Sequence, residues 1–323
     1  MAKVNNIKHS KDKYSISFNF DVNNGDLSLV NSIRRIILSE VESYAFDDIK
    51  ITKNTSVMND DFLKSRIELI PIIYNFKDDL DDLVFKLNIK STNPSQRIYS
   101  KDLISNNNKI YFDKEILLNC LKNDEELVFE AKLKKGTGKQ HAKWNQICHL
   151  GYKFKEDDQK NKLIVKKDGE INKSFPNEKQ RNYLINKFNN PTTVMFEVES
   201  NENVDVKIYV NMSIEVFIKK LNFIKESIKN ENKSKINIIE YIPIKNTFDY
   251  HIQDENHTIG NLIMNYCGLH KNILSSSYQQ ISNIGTSVAL RLISNGNEPC
   301  TKILNSIIDN IIDNLKDIKK SFN

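Results

Sequence analysis

The stretch LSLVNSIRRIILSEV, residues 27–41, decides how the rest of the chain is read. Val30, Ile33, Ile37 and Val41 recur at three- and four-residue spacing and give a helix one apolar face, while Asn31, Arg34 and Arg35 lie off that stripe. Upstream, Tyr14, Ile16, Phe18 and Phe20 alternate with polar residues, as a half-buried strand requires. Between strand and helix, Asn23-Asn24-Gly25-Asp26 supplies turn chemistry and a first-turn acid that suits the helix dipole.

The same unit returns later in the chain. Phe248, Tyr250 and Ile252 alternate, Asp254-Glu255-Asn256 makes a turn, and HTIGNLIMNY, residues 257–266, starts a helix. Ser28-Leu29-x-Asn31-x-Ile33 lines up with Thr258-Ile259-x-Asn261-x-Ile263. A repeated unit that cannot bury its helix face alone is explained by one copy packing on the other, so the chain reads as a tethered pseudo-dimer. The expected pairing core is Val30, Ile33, Ile37 and Val41 from the first helix and Ile259, Leu262 and Ile263 from the second. The final helix, which follows Pro299, adds Ile308, Ile311, Ile312 and Leu315 from a broad apolar face. Each large aliphatic side chain buried there contributes about 1.5 to 3 kcal/mol.

Outward from these repeats the chain divides as follows. Residues 1–48 and 191–228 form a discontinuous first half, and 49–190 an inserted, mostly β domain with strands at Val84–Ile89 and Glu126–Glu130. Within it, 155–190 is rich in charge and Asn and reads as exposed excursions. Strands are expected at Val194–Val198 and Val206–Met212, then a helix over 213–228. A linker region covers 229–245, centred on the polar KNENKSK of 229–235, and 246–323 forms the second half, with a strand through Val288, Leu290 and Leu292. The fold class is α+β.

Composition sets the outer bounds. With 323 residues, 39% hydrophobic and 28% charged, and only 9 Gly and 6 Pro, the chain is long enough for several cores and is not of disordered or fibrous type. No long apolar run or secretory leader is read, so a soluble, intracellular protein with no membrane contact is expected. The four cysteines stand far apart without a CxxC pair, which argues against a disulfide framework or a standard zinc site. The net charge of +5 is small and spread out, so it does not demand nucleic acid. Abundant Lys, Asn and Ile are compatible with an AT-rich coding bias.

The segment LVNSIRRIILSEVESYAFDDIKITKNTSVMNDDFLKSRIELIPI, residues 29–72, closely resembles the signature of the alpha-like subunits of DNA-directed RNA polymerases: the bacterial alpha subunit and its archaeal and eukaryotic counterparts, including the third-largest subunit of RNA polymerase II. The resemblance continues through Tyr99–Leu103 and through KKGTGKQHAKW, residues 134–144. Residues 248–318, beginning FDYHIQDENHTIGNLI, look like the small eleventh subunit. Fusion of these two subunits resembles an arrangement in large cytoplasmic DNA viruses. The resemblance implies an alpha-subunit-like dimerisation domain with a mostly β insert, fused to a smaller alpha-like α/β half. It also implies a non-catalytic assembly role, with the second-largest and largest polymerase subunits and small polymerase subunits as partners and DNA and RNA met only through the complex. The compartment would be intracellular, with the host cytoplasm and the virion following if the source is viral and the nucleus left open. Two departures accompany it: IYNFKDDLDDLVFKL, residues 73–87, carries no Cys or His where the eukaryotic subunit has a zinc loop, so no metal or other cofactor is expected, and no separate DNA-binding domain is read after the second half.

The resemblance makes Arg34 and Arg35 a docking pair for the second-largest subunit, since a guanidinium fork captures a carboxylate with two bonds. The plain alternative is a solvated basic helix face. Glu40, Asn54, Thr55 and Ser56 share the signature, with turn capping as their alternative reading. Lys139, His141 and Lys143 form a candidate interaction edge, against solvated lysines beside a Trp144 that packs. His257 and Thr258 read as a helix start, and Asp78, Asp79, Asp81 and Asp82 as an acidic surface turn more readily than a cation site. His141, Cys148 and His149 lack any defining catalytic pattern, and no Gly-rich phosphate loop occurs. The rivals from other classes are a nucleic-acid-binding protein using its scattered lysines, which salt-sensitive binding would reveal, and, more weakly, an enzyme.

Overall fold

The computed structural model describes residues 3–22, 27–74, 78–106, 111–162, 181–201, 204–230, 235–281 and 287–322. The turn containing Asp26, the middle of KNENKSK and much of the 155–190 excursion lie outside the described residues.

The chain opens with β1 (Lys3–His9) and β2 (Ser15–Asp21), which pair antiparallel, and α1 (Leu27–Ser39). Ile16, Phe18 and Phe20 alternate into the core as expected, and α1 buries Leu29, Val30, Ile33, Ile36 and Ile37. There follow β3 (Glu42–Asn54), α2 (Asp60–Glu68), β4 (Val84–Lys90), β5 (Gln96–Tyr99), β6 (Ile104–Ser105), β7 (Leu117–Leu121) and β8 (Glu126–Thr137). Next come β9 (Ile147–Phe154), β10 (Thr193–Ser200) and α3 (Val206–Lys229). The remainder is β11 (Ile236–Glu240), β12 (Thr247–Gln253), α4 (His257–Gly268), β13 (Ile273–Gln280), β14 (Ser287–Ser294) and α5 (Cys300–Phe322).

Contacts divide the chain into two compact units. One comprises Met1–Ile37, His149–Val198 and Lys207–Asn323, and the other Leu38–Cys148 with Glu199–Val206. Within the first, one four-stranded sheet has the order β1-β2-β10-β9 and the other the order β11-β12-β14-β13. The two orders are the same arrangement used twice. Each half runs strand, strand, helix, strand, strand, helix, with α1 matching α4 and α3 matching α5. The second sheet is antiparallel throughout, with Tyr250 opposite Leu290 and Tyr278 opposite Leu290 on the other side.

In the other unit β3, β8, β4 and β6 form a sheet in that order, with β5 and β7 as a separate pair. Phe46, Phe85, Leu87, Phe129, Leu133 and, from α2, Leu63 and Ile67 form its core. Phe46, Phe85 and Phe112 meet with ring centroids 5.3 to 5.8 Å apart, a range in which aromatic edges and faces attract.

Several expectations shift. Residues 206–212 are helix, not strand: Val206, Tyr209 and Val210 are buried at helical spacing that continues through Ile214, Phe217, Leu221, Ile224 and Ile228. The β-branched run suggests a strand only locally, and packing overrides such weak preferences. Val41 is buried but lies beyond the end of α1, in the unit that begins at Leu38, so it is not part of the helix stripe. The 229–245 region is not all linker, because β11 pairs with β12 from Ile236 opposite Ile252 to Glu240 opposite Phe248. The inserted unit comprises Leu38–Cys148 together with Glu199–Val206, rather than spanning 49–190, because most of β9 and of β10 belongs to the first sheet's unit.

Candidate functional site

Ion pairs and buried rings join the two halves inside the first unit. On α3 and α5, Lys319 Nζ stands 2.5 Å from Glu215, and Lys225 pairs with Asp309. Each helix spaces its two partners ten residues apart and in opposite chain directions, so the helices run antiparallel. At the end of α5, Phe322 places its ring edge-on to Phe18 of β2, centroids 4.9 Å apart, and Phe18 stacks on Phe196 of β10. The last helix of the second half is thereby seated against the first half's sheet.

The helices of the two repeat copies also touch. Ser32 Oγ on α1 donates to the Thr258 carbonyl of α4 at 3.3 Å. Asn256 caps α4, its Oδ1 accepting from the Thr258 amide at 2.8 Å, which satisfies one of the donors a helix start leaves free. Just before the cap, Glu255 pairs with Lys220 of α3 at 3.2 Å, the carboxylate side chain only 3% and the lysine 18% exposed. The predicted core residues Val30, Ile33, Ile37, Ile259, Leu262, Ile263, Ile308, Ile311, Ile312 and Leu315 are all buried in this unit.

The docking candidates fall into separate places. Arg34 and Arg35 lie on α1, Arg34 half-buried with Nε donating to Asn31 Oδ1 at 3.2 Å and Arg35 exposed. Glu40 is half-buried just after α1, in the second unit. Asn54, Thr55 and Ser56, also in the second unit, close the turn from β3 to α2. Asn54 Oδ1 accepts from the Ser56 amide and its Nδ2 donates to Asp60, Thr55 Oγ1 accepts from the Glu126 amide, and Ser56 Oγ accepts from Asn119. These polar groups are engaged within the turn and with the neighbouring strands β7 and β8.

The KKGTGKQHAKW segment divides in two. Lys139 and His141 are exposed, whereas Lys143 turns inward with 5% of its side chain exposed, 2.7 Å from Asp47 and 3.1 Å from Glu68. Its ammonium also lies 4.6 Å from the Trp144 ring centre, a cation–π contact. Trp144 Nε1 donates to the Lys134 carbonyl at 3.0 Å, and the ring sits where a Cβ on Gly136 would fall, 2.4 Å away. Burial tends to raise the Asp47 carboxyl, but Lys143 and Lys134 outweigh it and hold it below its ordinary value. Lys143 therefore acts inside the unit, holding the segment that presents Lys139 and His141. The sequence reading overlooked Asp47, Glu68, Lys220 and Glu255 because each partner is remote in sequence, and no local pattern marks such a pair.

Of the acidic run, Asp79 Oδ1 accepts from the Tyr44 hydroxyl at 3.3 Å and Asp81 Oδ1 from the Lys135 amide at 3.1 Å, so these carboxylates fasten a turn. Among the described residues, no group of three or more His, Cys, Asp or Glu is arranged to hold a metal ion, and no helix is long and apolar enough to cross a membrane.

Residues 19–221, more than half of the chain, match the family model described as the RNA polymerase Rpb3/Rpb11 dimerisation domain. The chain is 29% identical over 163 residues to DNA-directed RNA polymerase II subunit rpb3 of Dictyostelium discoideum, covering 42% of this chain and 53% of that protein. It is 38% identical over 133 residues to DNA-directed RNA polymerase subunit Rpo3 of Methanocaldococcus jannaschii, covering 41% and 67%. Against Rpo3 of Pyrococcus furiosus the identity is 26% over 247 residues, covering 67% and 94%.

Proposed function

Because the chain belongs to the RNA polymerase Rpb3/Rpb11 dimerisation-domain family, we propose that it is a non-catalytic assembly subunit of a DNA-directed RNA polymerase in which the paired alpha-like units are halves of one polypeptide. The observation that carries this reading is the repetition of one sheet order and one helix order in two halves that share a compact unit. A surface built by pairing two such folds needs no catalytic group, only a buried helix seam and a rigid outer face. Covalent linkage replaces a concentration-dependent association with an intramolecular one, whose effective concentration reaches the millimolar range for short flexible linkers.

On this reading the second half takes the place of the eleventh subunit, and the chain is a fusion of the kind found in large cytoplasmic DNA viruses. Arg34 and Arg35 dock the second-largest polymerase subunit, with the exposed Lys139 and His141 contributing from the inserted unit. The largest subunit and small polymerase subunits join afterwards, and nucleic acid is met only through the complex. No cofactor is assigned to the chain. Its place is intracellular, in the host cytoplasm for a viral source.

Purification of the tagged full chain from its native source tests this. Two much larger polypeptides should copurify at one copy each with template-dependent RNA synthesis, and Arg35→Ala should release them, with Arg35→Lys restoring little because an ammonium lacks the planar fork. A chain that emerges alone, or bound only to nucleic acid that salt removes, overturns the reading.

A further inference from the structure

The edge of a sheet presents backbone N–H and C=O groups that another strand can meet, and natural edges are guarded by charge, proline, irregularity or brevity. In the unit that holds the repeat, β1 is guarded by Lys3, Lys8 and a shift of register between Asn5 and Lys8, β9 by His149 and Lys153, and β11 by its five-residue length between Lys235 and Glu240. The edge strand β13 lacks such guards. Residues 272–290 hold no charged residue, no His and no Pro, in a chain that is 28% charged. Its one shift of register, between Ile273 and Ser275, comes before Ser276.

The pairing shows which groups of β13 look outward. Just past the strand, the Ile281 amide donates to the Ser287 carbonyl at 3.0 Å. Bonded and non-bonded pairs alternate along an antiparallel ladder, so Gln279 opposite Ala289 and Ser277 opposite Arg291 bond to β14. Ser276 opposite Leu292 and Tyr278 opposite Leu290 therefore turn their N–H and C=O groups away from β14. The far side of the sheet agrees: the Gln253 amide donates to Lys235 and the Tyr241 amide to Thr247, which leaves Tyr250 of β12 to bond with Leu290 and commits Arg291 to β13. Among the described residues no strand lies beyond β13.

The surroundings decide what fits. Helix α4 lies over β13: Ser276 Oγ donates to the Met264 carbonyl at 2.9 Å, the His257 and Tyr278 ring centroids stand 5.8 Å apart, and a Cβ on Gly268 would fall 3.3 Å from Ser276 Oγ. His257, Asn261, Met264 and Gly268 recur at helical spacing as the flank of α4 that borders this edge, and none of them is buried. If β13 paired with β13 of a second copy, a two-fold axis would set this mostly polar flank against its own image, and desolvating polar groups without matched hydrogen bonds is costly. A single extended segment with no helix of its own meets no such obstacle. On the sheet's other face Ser275, Ser277 and Gln279 are exposed and neutral, so a charge on the segment would find no counter-charge on β13.

We propose that β13, through the backbone of Ser276 and Tyr278, takes one extended, uncharged segment of another polymerase subunit as a fifth strand of its sheet. The identity of the partner as a polymerase subunit rests on the assembly role proposed above.

Hydrogen exchange read at single amides tests this on the tagged full chain, alone and in the complex it copurifies with. In the isolated chain, of one-copy mass by light scattering, the Ser276 and Tyr278 amides should exchange fast and those of Ser277 and Gln279 slowly. In the complex the first two should slow by about tenfold or more, the worth of a newly made hydrogen bond, and the other two should change little. Ser276→Pro removes an edge donor without breaking the β14 ladder, so it should keep the thermal transition of the isolated chain and abolish the slowing at Tyr278. With Gln279 replaced by p-benzoylphenylalanine, light should join β13 to an uncharged segment of a different polypeptide. Unchanged exchange at Ser276 and Tyr278 in a complex that still makes RNA overturns the proposal and leaves the assembly role standing, and this arm decides even if the proline variant fails to fold. Slow exchange at both amides in the isolated chain, or a photocrosslink to a second copy with two-copy mass, also overturns it. A chain that retains no other polypeptide and makes no RNA sinks the assembly role and this proposal together.

Discussion

The connection from α1 to β9 and the connection from α4 to β13 occupy the same place in the repeat, yet one carries an entire β unit and the other only residues 269–272. The difference shows where this fold can be opened. Both β9 and β13 are edge strands, so chain inserted ahead of them interrupts no ladder. The insert also closes its own base: the Lys139 amide donates to the Ser39 carbonyl at 2.9 Å, and β3 begins pairing with β8 at Glu42 opposite Thr137. With entry and exit zipped together, extra chain length adds little closure entropy.

The largest effects should separate the two regions. Trp144 is the only tryptophan and lies in the inserted unit, so its fluorescence reports that unit while far-ultraviolet circular dichroism follows the helices of the repeat. Phe129→Ala should cost the insert about 3–5 kcal/mol, and Leu315→Ala should cost the repeat about 2–5 kcal/mol. In urea, each should move mainly its own signal. A single transition moved equally in both signals by either substitution would show that the two regions unfold together.

A smaller effect sharpens the comparison of the two helices. Gly260 of α4 stands where α1 has the buried Val30, and a Cβ there would fall 2.7 Å from the Tyr278 ring and 2.8 Å from Val288. Helix propensity alone favours Ala over Gly by roughly 1 kcal/mol, but overpacking costs about 1–3 kcal/mol. Gly260→Ala should therefore lower the repeat's melting temperature, and a rise would mean that α4 can draw back from its sheet.

Lys143→Met should destabilise the insert by about 1–3 kcal/mol through loss of charge-assisted hydrogen bonds. It should also change the acid response. Asp47 is held below its ordinary value in the folded state, so the stability it contributes is present above the unfolded carboxylate range and is lost as pH falls through the lower folded value. Because Asp47 keeps about a third of its side chain in solvent, which screens the pair, this part amounts to no more than about 1 kcal/mol. Tryptophan-monitored unfolding between pH 5 and pH 2 should lose that component in Lys143→Met, and identical acid profiles would remove Lys143 as its cause. The smallest change expected is Asn256→Ala, at about 1 kcal/mol for a lost helix cap, read as a modest shift in the dichroism transition alone.

Much of the repeat was legible because burial and periodicity coincide. Ile16, Phe18 and Phe20 announce a strand, and Ile308, Ile311, Ile312 and Leu315 a helix, since each pattern has one face to bury. Legibility failed where local preference and packing disagree, as at Val206–Met212, whose β-branched residues form the first turns of α3. It failed again at β11, whose five residues are too few to show a period beside a polar run. The docking candidates were legible only as a motif. Lys139, His141 and Lys143 stand within five residues, and nothing in their order reveals that the third turns inward to Asp47 and Glu68.

The sequence by itself determined that this chain contains two copies of one strand-and-helix unit, because side-chain periodicity and a matched helix start are local properties that survive without coordinates. Only the tertiary structure decided that the copies share one sheet order, that the insert leaves after α1 and returns before β9, and that Lys220 finds Glu255. Those facts depend on which remote strands share hydrogen bonds and which remote charges share a buried site, and one-dimensional order carries no direct mark of either.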